Sequence, residues 1–484
     1  MLSSITWSTG GMPKKILLSF DYLGILAADF LGCIRFWISV QVGSGFLILT
    51  REGISMKGHD ARRWKKVLVA GAIAALVAGM GSTLPSAYAG GTIKADDDKW
   101  ISVGMGIRTS FNSVEGAAGG HYSNDFAVNN ARIYINGQIH KYVKFTFNTD
   151  CFNCGVGGGA NHFGGNSNIG LLDAIGKFEF NELVNFWVGR TLVPSERGEL
   201  NGPFYHATFD GFRTPFYSQD FSGNFPGGPG GAPGGQGGLY GRDNGVVFFG
   251  KVHPFGTHLL YVASVFTGVR GGPNPTGSLM YAGRLQWNLL NDEDNPGYYT
   301  SGTYYGTAGD IFAISGNVQH QKDGAGNPVT GNISDFTGLS ADVLFEKVLP
   351  NNMGVFTFNG EFKRFFANYG TAAFQPGAGA FGNCFCVFNG HSWTVYALYL
   401  IPHEIGIGRF QPYVRFTEIS PRYANERNEW ETGVNYIIAG HNARVSAYYR
   451  YGDFNGSVGG FSFIAPEQVV RKVDSFHVAL QLQY

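Results

Sequence analysis

Charged side chains are scarce in this sequence of 484 residues. Asp, Glu, Lys and Arg make up only 14 % of it, whereas soluble domains contain about 25 %. Aromatic residues reach 15 %, which excludes intrinsic disorder, because disordered chains combine high charge with few aromatics. Basic and acidic residues are equal in number, 35 of each. The sequence therefore lacks the basic excess of a nucleic-acid-binding protein, and we expect no nucleic-acid partner.

Long apolar runs are missing after residue 90, so no membrane-spanning helix is expected there. The mean hydropathy is near zero, which excludes a polytopic helical membrane protein. The 73 glycines follow no three-residue period, which excludes collagen. A chain rich in Gly and aromatics but poor in charge has the composition of a transmembrane β-barrel, in which an apolar lipid face alternates with a polar lumen.

A secretory signal peptide is predicted at residues 56–89. Basic residues follow Met56, an uncharged stretch follows at 67–80, and small residues precede a cleavage site between Ala89 and Gly90. The alternative is a membrane anchor, but the apolar run is shorter than the roughly 20 residues of a spanning helix. Because a secretory signal belongs at the N-terminus, we interpret residues 1–55 as a mis-annotated upstream extension.

Strict alternation of apolar and polar residues recurs along the rest of the chain. In its last segment Phe476, Val478 and Leu480 alternate with polar residues such as His477 and Gln481. Period two places the two sets on opposite faces of a strand. An even number of segments about ten residues long suits a bacterial barrel. Sixteen segments alternate in this way, at 100–111, 126–140, 142–150, 169–180, 184–193, 242–252, 258–268, 279–289, 310–322, 335–348, 354–366, 392–402, 409–419, 428–439, 442–453 and 471–484.

The links between these segments alternate in length. The long links are 112–125, 151–168, 194–241, 367–391 and 454–470. Short periplasmic turns and long outer loops produce this asymmetry in outer-membrane barrels. One link, 290–309, is long where a short periplasmic turn is due.

We therefore predict an all-β fold, a transmembrane antiparallel β-barrel of about 16 strands over 100–484. A short periplasmic segment at 90–99 precedes this barrel in the bacterial outer membrane. The chain ends on the aromatic Tyr484. Outer-membrane barrels typically end this way, and we expect the barrel assembly machinery to bind that end.

Several segments resemble the phosphate-selective porin O and P family of outer membranes. They are 131–137, 187–190 followed by 193–194, 242–246 together with 261–268, and 435–436 with 440–444. Each segment is of moderate specificity, and the likeness extends over nearly all of 98–484. The resemblance implies a sixteen-stranded barrel in outer-membrane lipid, a homotrimer, and passive passage of small solutes or anions. It also implies that the third outer loop folds inward and narrows the channel.

Because successive side chains of a strand alternate between the lipid and the lumen, the polar face of each predicted strand faces the lumen. This alternation assigns thirteen charged residues to the lumen as predicted pore-lining residues. The basic ones are Arg108, Arg132, Lys144, Arg284, Lys363, Arg415, Arg444 and Arg450, and the acidic ones are Asp150, Asp342, Glu346, Glu361 and Glu431. Eight bases against five acids give a mildly positive lumen, which favours anions. The alternative is that opposite charges pair across the lumen.

The longest outer loop, 194–241, argues against phosphate specificity. Its basic residues are Arg197 and Arg213, whereas its acidic residues are Glu196, Glu199, Asp210 and Asp220. A phosphate site requires a cluster of Arg or Lys donors. The portion 226–238 is nearly all Gly and Pro, which do not fix one conformation. We therefore predict a general porin with at most a weak anion preference.

Four cysteines, Cys151, Cys154, Cys384 and Cys386, fall in predicted outer loops. Disulfides that staple these loops are the favoured interpretation, with the pairing left open. Gly155 stands where c-type haem attachment requires His. An electron-transfer or metal-binding barrel that uses these cysteines is the alternative function, and neither a cofactor nor a metal is predicted. No catalytic triad or phosphate-binding loop is recognisable, so no enzyme is predicted.

Overall fold

The protein is described here by a computed structural model. It covers 91–484 except 97, 117–120, 155–168, 212–240, 269–276, 294, 328–331, 368–389, 423–425 and 455–470, together with four short strands before residue 58. These strands are Ile16–Leu18, Ile38–Val42, Gly45–Thr50 and Gly53–Lys57, and they form one four-stranded sheet. Ala89 and Gly90 lie outside the described residues. The signal peptide and the status of 1–55 therefore stay predictions.

The second compact unit of the chain, Pro85–Tyr484, contains sixteen long strands, a short α-helix and two 3₁₀-helices, Pro254–Gly256 and Pro350–Asn352, among its described residues. The strands are β1 (Trp100–Glu115), β2 (Tyr122–His140), β3 (Val143–Cys154), β4 (Gly170–Glu179), β5 (Asn185–Leu192), β6 (Arg242–Val252), β7 (His258–Phe266), β8 (Met280–Asn288), β9 (Ile311–Asn327), β10 (Asn332–Val348), β11 (Val355–Ala367), β12 (Gly390–Leu400), β13 (Arg409–Pro421), β14 (Arg427–Ala439), β15 (Ala443–Gly452) and β16 (Val473–Gln483). The helix is α1 (Arg197–Asn201). No helix among the described residues is long and apolar enough to cross a membrane.

The sixteen strands close into one antiparallel barrel. Each strand pairs with the next along the chain, and β16 pairs with β1 in the register Gln483↔Gly106. The backbone of Tyr484 extends this closure through reciprocal hydrogen bonds with Met105, both 2.8 Å long. A short strand, Gly91–Lys94, pairs with the first residues of β1. The prediction of an all-β, sixteen-stranded barrel is confirmed.

Several strands are longer than the sequence predicted. β1 continues to Glu115 and β2 already begins at Tyr122, so the link between them is 116–121 and not the predicted 112–125. β3 continues to Cys154, and the backbone of Cys151 pairs with that of Ala131. The prediction that Cys151 and Cys154 lie in an outer loop is wrong. Ladder hydrogen bonds join backbone groups, so a ladder continues into polar sequence whose side chains carry no alternation.

The two faces of the barrel differ in chemistry, as β16 shows. Ser475, His477 and Gln481 are buried on the inner face, whereas Leu482 is exposed on the outer face. Large apolar side chains are exposed on the outer face all around the barrel, including Ile107, Ile133, Phe248, Leu285, Ile314, Phe362, Val414 and Trp430. A barrel in water would not tolerate so wide an apolar surface, whereas lipid requires it.

Arginine at Val414 tests this outer face. Val414 lies in the middle of β13 and is 43 % exposed. We expect Val414→Arg to lower the free energy of unfolding in lipid vesicles by about 2–4 kcal/mol, because a guanidinium at the bilayer midplane is poorly solvated. The control is Ile407→Arg in the exposed link after β12, where the expected loss is at most about 1 kcal/mol near the interface. Equal losses in urea titrations of the two variants would contradict a lipid-facing Val414.

Candidate channel constriction

The link after β5 turns into the barrel. Pro194 and Ser195 lead into α1, and the side chain of Ser195 donates a hydrogen bond to Glu199 at 2.9 Å. Gly202 ends the helix with φ 61°, a conformation that favours glycine. Apolar residues of this link are buried against the inner wall, including Val193, Leu200, Phe204, Ala207 and Phe209. We call residues 193–211 the inner loop.

The first half of the inner loop is held by buried ion pairs. The Arg197 guanidinium donates to both carboxylate oxygens of Glu293 at 2.7 Å. Its backbone N–H donates to Asp342 at 3.0 Å, and Asp342 also accepts from Arg284 at 2.7 Å. Lys363 on β11 contacts the Glu196 carboxylate at 2.5 Å. Arg284 on β8 also donates to the carbonyl of Ser195 at 2.7 Å, so this half of the inner loop is attached to β8, β10 and β11.

The second half of the inner loop rests on an arginine cluster. Arg450 donates to the Asp210 carboxylate at 2.7 Å. Arg415 donates to the hydroxyl of Thr208 at 2.9 Å, and Arg444 donates to the carbonyl of His206 at 2.7 Å. The three arginines extend from β13 and β15. The inner loop therefore spans the lumen from β8 to β15.

A second segment enters the barrel from the end with the short turns. The link between β8 and β9, which we call the inner link (289–310), packs against the inner loop. Thr300 donates to the carbonyl of Arg197 at 2.8 Å, and the Gly302 N–H donates to the carbonyl of Tyr205 at 2.9 Å. At Gly302 an added Cβ would lie 2.5 Å from the backbone nitrogen of Ala207, so only glycine fits this contact.

The aromatic part of the inner link fills the space behind this contact. Tyr298 is fully buried, and its hydroxyl donates to the carbonyl of Leu192 at 2.5 Å. Thr303 donates to Glu346 at 2.7 Å, and the N–H groups of Tyr304 and Gly306 donate to the same carboxylate at 3.0 and 2.8 Å. The unusual length of this link was visible in the sequence. Its inward course was missed, although a run of Tyr, Thr and Gly in a supposed turn was the available signal.

Of the thirteen residues that the alternation assigned to the lumen, twelve are buried and the side chain of Lys144 is 33 % exposed, and their role in lining a pore stays a prediction. Arg108 stacks on Phe209 of the inner loop, with its Cζ 4.0 Å from the ring centroid. Arg132 pairs with Asp150 at 2.7 Å, and Lys144 pairs with Glu179 at 2.7 Å. Glu431 accepts hydrogen bonds from two of the arginines, Arg415 and Arg450, and an added Cβ on Gly198 of α1 would contact Glu361.

Parity reasoning missed several interior charges. Asp173 on β4 pairs with Arg242 at 2.7 Å, and both are buried. Glu293 comes from the inner link, and Lys177 lines the interior on β4. The described inner loop adds one base, Arg197, and three acids, Glu196, Glu199 and Asp210. With Glu293 these residues offset the positive excess of the wall. Arg213, Asp220 and 226–238 lie outside the described residues.

Two histidines are buried beside the inner loop and the inner link. Burial, together with the positive charges of Arg108, Arg444 and Arg415, holds the pKa of His206 well below its ordinary value. Burial and the charge of Arg444 lower the pKa of His441 to about 3. His441 lies in the turn after β14, where its Nε2 contacts the Ser301 hydroxyl at 3.0 Å. Both imidazoles are therefore neutral in the folded protein at neutral pH.

The predicted disulfides involve cysteines whose side chains lie outside the described part of the chain. Cys384 and Cys386 lie outside the described residues, and only the backbone of Cys151 and Cys154 is described. In the described part of the chain no three or more His, Cys, Asp or Glu side chains are grouped to hold a metal ion. The disulfides stay a prediction.

The closed antiparallel sheet, its even number of strands, its apolar exterior and its charged interior define a class. The chain is a bacterial outer-membrane β-barrel protein. No protein-family profile matches the sequence, and neither does any curated protein.

Solved structures with a similar course of the chain include outer-membrane channels. The anion-selective porin from Comamonas acidovorans has 12 % identity and a TM-score of 0.48, with 79 % of this chain and 99 % of that chain covered. OmpF of Salmonella typhi has 11 % identity and a TM-score of 0.45, with coverages of 81 % and 100 %. DcaP of Acinetobacter baumannii has 11 % identity and a TM-score of 0.44, with coverages of 82 % and 100 %. Similarity at this level carries no conclusion about transport.

Proposed function

We propose that the chain is a non-enzymatic porin through which small hydrophilic solutes and ions diffuse passively, with at most a weak anion preference. The observation that carries the proposal is the inner loop, which crosses a charged lumen and is attached to the wall on both sides. A membrane barrel narrowed at one level by fixed polar groups has the architecture of a diffusion pore.

The weak preference follows from the balance of charges at the constriction. Arg284, Lys363 and Arg450 each contact a carboxylate at 2.7 Å or less. A cation whose field is cancelled by an adjacent anion attracts passing ions only weakly. A phosphate-selective filter requires several Arg or Lys donors that face one binding position together. The described inner loop instead brings three acids to the basic wall.

Recordings in planar bilayers with a KCl gradient test the proposal. We expect stepwise conductance and a reversal potential much closer to zero than the value for an ideal chloride or potassium electrode. Phosphate is expected to inhibit the chloride current only weakly. Complete absence of conductance steps would overturn the proposed porin function. A reversal potential near the value for an ideal chloride or potassium electrode would overturn only the proposal that the charges in the lumen are balanced.

Membership in the phosphate-selective porin O and P family belongs to the same proposal, and it rests on the sequence segments that resemble that family. We also propose a homotrimer, a signal peptide at 56–89 and recognition of Tyr484 by the barrel assembly machinery. Mass spectrometry of the outer-membrane protein is expected to find an N-terminus at Gly90. Light scattering of the purified protein in detergent is expected to give three chains per particle.

A further inference from the structure

A cavity of about 580 Å³ opens at the end of the barrel that carries the short turns. The inner link closes one side of it with Pro296 and Gly297. The wall contributes three lysines, Lys144, Lys177 and Lys251, and two acids, Glu179 and Glu182. Trp100, Phe249 and Leu260 add apolar surface. The cavity therefore combines charge with an apolar wall at the periplasmic mouth of the barrel.

The Lys177 ammonium has no carboxylate within ion-pair distance among the residues that the structure describes. Its neighbour Glu179 has a partner on each oxygen, because one oxygen accepts from Lys144 at 2.7 Å and the other from the indole of Trp187 at 3.1 Å. Asp173, on the same face of β4, accepts from Arg242 at 2.7 Å and from Asn148 at 2.9 Å. Both acids beside Lys177 on β4 are thus committed to other partners.

The indole of Trp187 holds Lys177 in place. The ammonium lies 4.0 Å from the centroid of the Trp187 ring. The ring itself is fully buried and packs against Phe249 and Tyr298 at centroid distances of 5.2 and 5.3 Å. A cation over a rigid indole is stabilised on that side only. An ammonium has three donors and no acceptor, so the donors that face the cavity are available to an acceptor bound there.

We propose that Lys177 binds the carboxylate of a small monocarboxylate with an apolar body in this cavity, an inference that rests on the proposed diffusion function. Lys144 pairs with Glu179 and Lys251 pairs with Asp292, which leaves the single positive charge of Lys177 to match one negative charge on the ligand. Trp100, Phe249 and Leu260 provide the surface for the apolar body. Multiply charged phosphate fits less well, because Glu179 and Glu182 repel the additional charge.

Calorimetric titration of benzoate into the detergent-solubilised protein tests the site without requiring conduction. We expect saturable binding of benzoate, and no binding of benzamide, its uncharged counterpart. Lys177→Gln is expected to weaken benzoate binding by about tenfold or more, the range of a lost hydrogen bond to a charged group. Lys177→Arg keeps the charge and is expected to retain most of the affinity.

The matched control is Lys141→Gln. Lys141 lies in the turn after β2 at the same end of the barrel and contacts the ring of Tyr142 at 4.5 Å, outside the cavity lining. Its loss is expected to leave benzoate binding unchanged. Equal binding by wild type and Lys177→Gln, or equal binding of benzamide, would overturn the site. Conductance steps recorded in parallel separate this failure from failure of the porin function.

Discussion

Lowering the pH from 7.5 to 5 is expected to destabilise the folded barrel by about 4 kcal/mol through His206 and His441 alone. Both imidazoles are buried at the contact between the inner loop, the inner link and the arginine cluster. The unfolded chain accepts a proton on each histidine near pH 6.5, whereas the folded chain accepts it only at a much lower pH. The unfolded state thus gains protons that the folded state excludes.

The sign follows from this order of pKa values. A group whose pKa is lower in the folded state stabilises the fold fully at pH values above its pKa in the unfolded state. This stabilisation decreases as the pH falls toward its pKa in the folded state. At pH 5, which is 1.5 units below the ordinary pKa of histidine, each histidine lowers the free energy of unfolding by about 2 kcal/mol. In the folded protein the pKa of His441 is about 3, so its contribution to the free energy of unfolding continues to fall below pH 5.

Urea unfolding in detergent at several pH values measures the effect. The controls are His206→Gln, His441→Gln and the double variant, since glutamine does not titrate in this range. Each single variant is expected to remove about half of the difference between pH 7.5 and 5, and the double variant most of it. A double variant that loses as much stability as wild type would assign the pH dependence to the carboxylates instead.

The sequence was sufficient for the wall of the barrel. Alternation in β16 assigned Leu482 to one face and Gln481 to the other, and the burial of the two side chains agrees with that assignment. The reason is physical, because a strand has a fixed period of two and one face must contact lipid. The same rule fails on β4, where Leu171 and Leu172 are adjacent and the register shifts opposite Asn148. Asp173 and Lys177 lie beyond this shift, and neither was assigned to the lumen from the sequence.

The interior segments were beyond sequence reasoning. Arg197 and Glu293 are 96 residues apart, and neither belongs to a strand or follows a periodic pattern. A long link signals only that the chain leaves the sheet, and its destination depends on side-chain partners elsewhere. The acids of the inner loop were identified, but their pairing with Lys363 and Arg450 depends on a fold that brings distant strands together.

Replacing Glu293 is expected to release the inner link from the inner loop and to enlarge the channel. Glu293→Gln removes the carboxylate that accepts two hydrogen bonds from Arg197 and one from the hydroxyl of Tyr304 at 2.6 Å. The Arg197 side chain is completely buried, and its remaining partners are Asp342, which it shares with Arg284, and the carbonyl of Ser301. Loss of one partner of a buried pair typically costs about 3–5 kcal/mol.

Because the lost contact joins two segments rather than two strands, the barrel wall should persist. We therefore expect a larger single-channel conductance together with a lower free energy of unfolding. The control is Asp292→Asn, one residue earlier in the same link. Asp292 is 30 % exposed and pairs with Lys251 at the mouth of the barrel. A partly exposed pair contributes at most about 1 kcal/mol, so this variant is expected to conduct like wild type.

A double replacement separates the charge from the packing. If the buried charge on Arg197 drives the opening, then Arg197→Met combined with Glu293→Leu should recover much of the lost stability. Buried ion pairs are often replaceable by apolar residues of similar size, whereas half of a pair is not. Wild-type conductance in Glu293→Gln would mean that the contacts of Thr300, Ser301 and Gly302 hold the two segments together without the Arg197–Glu293 pair. The pair would then have no part in the width of the channel.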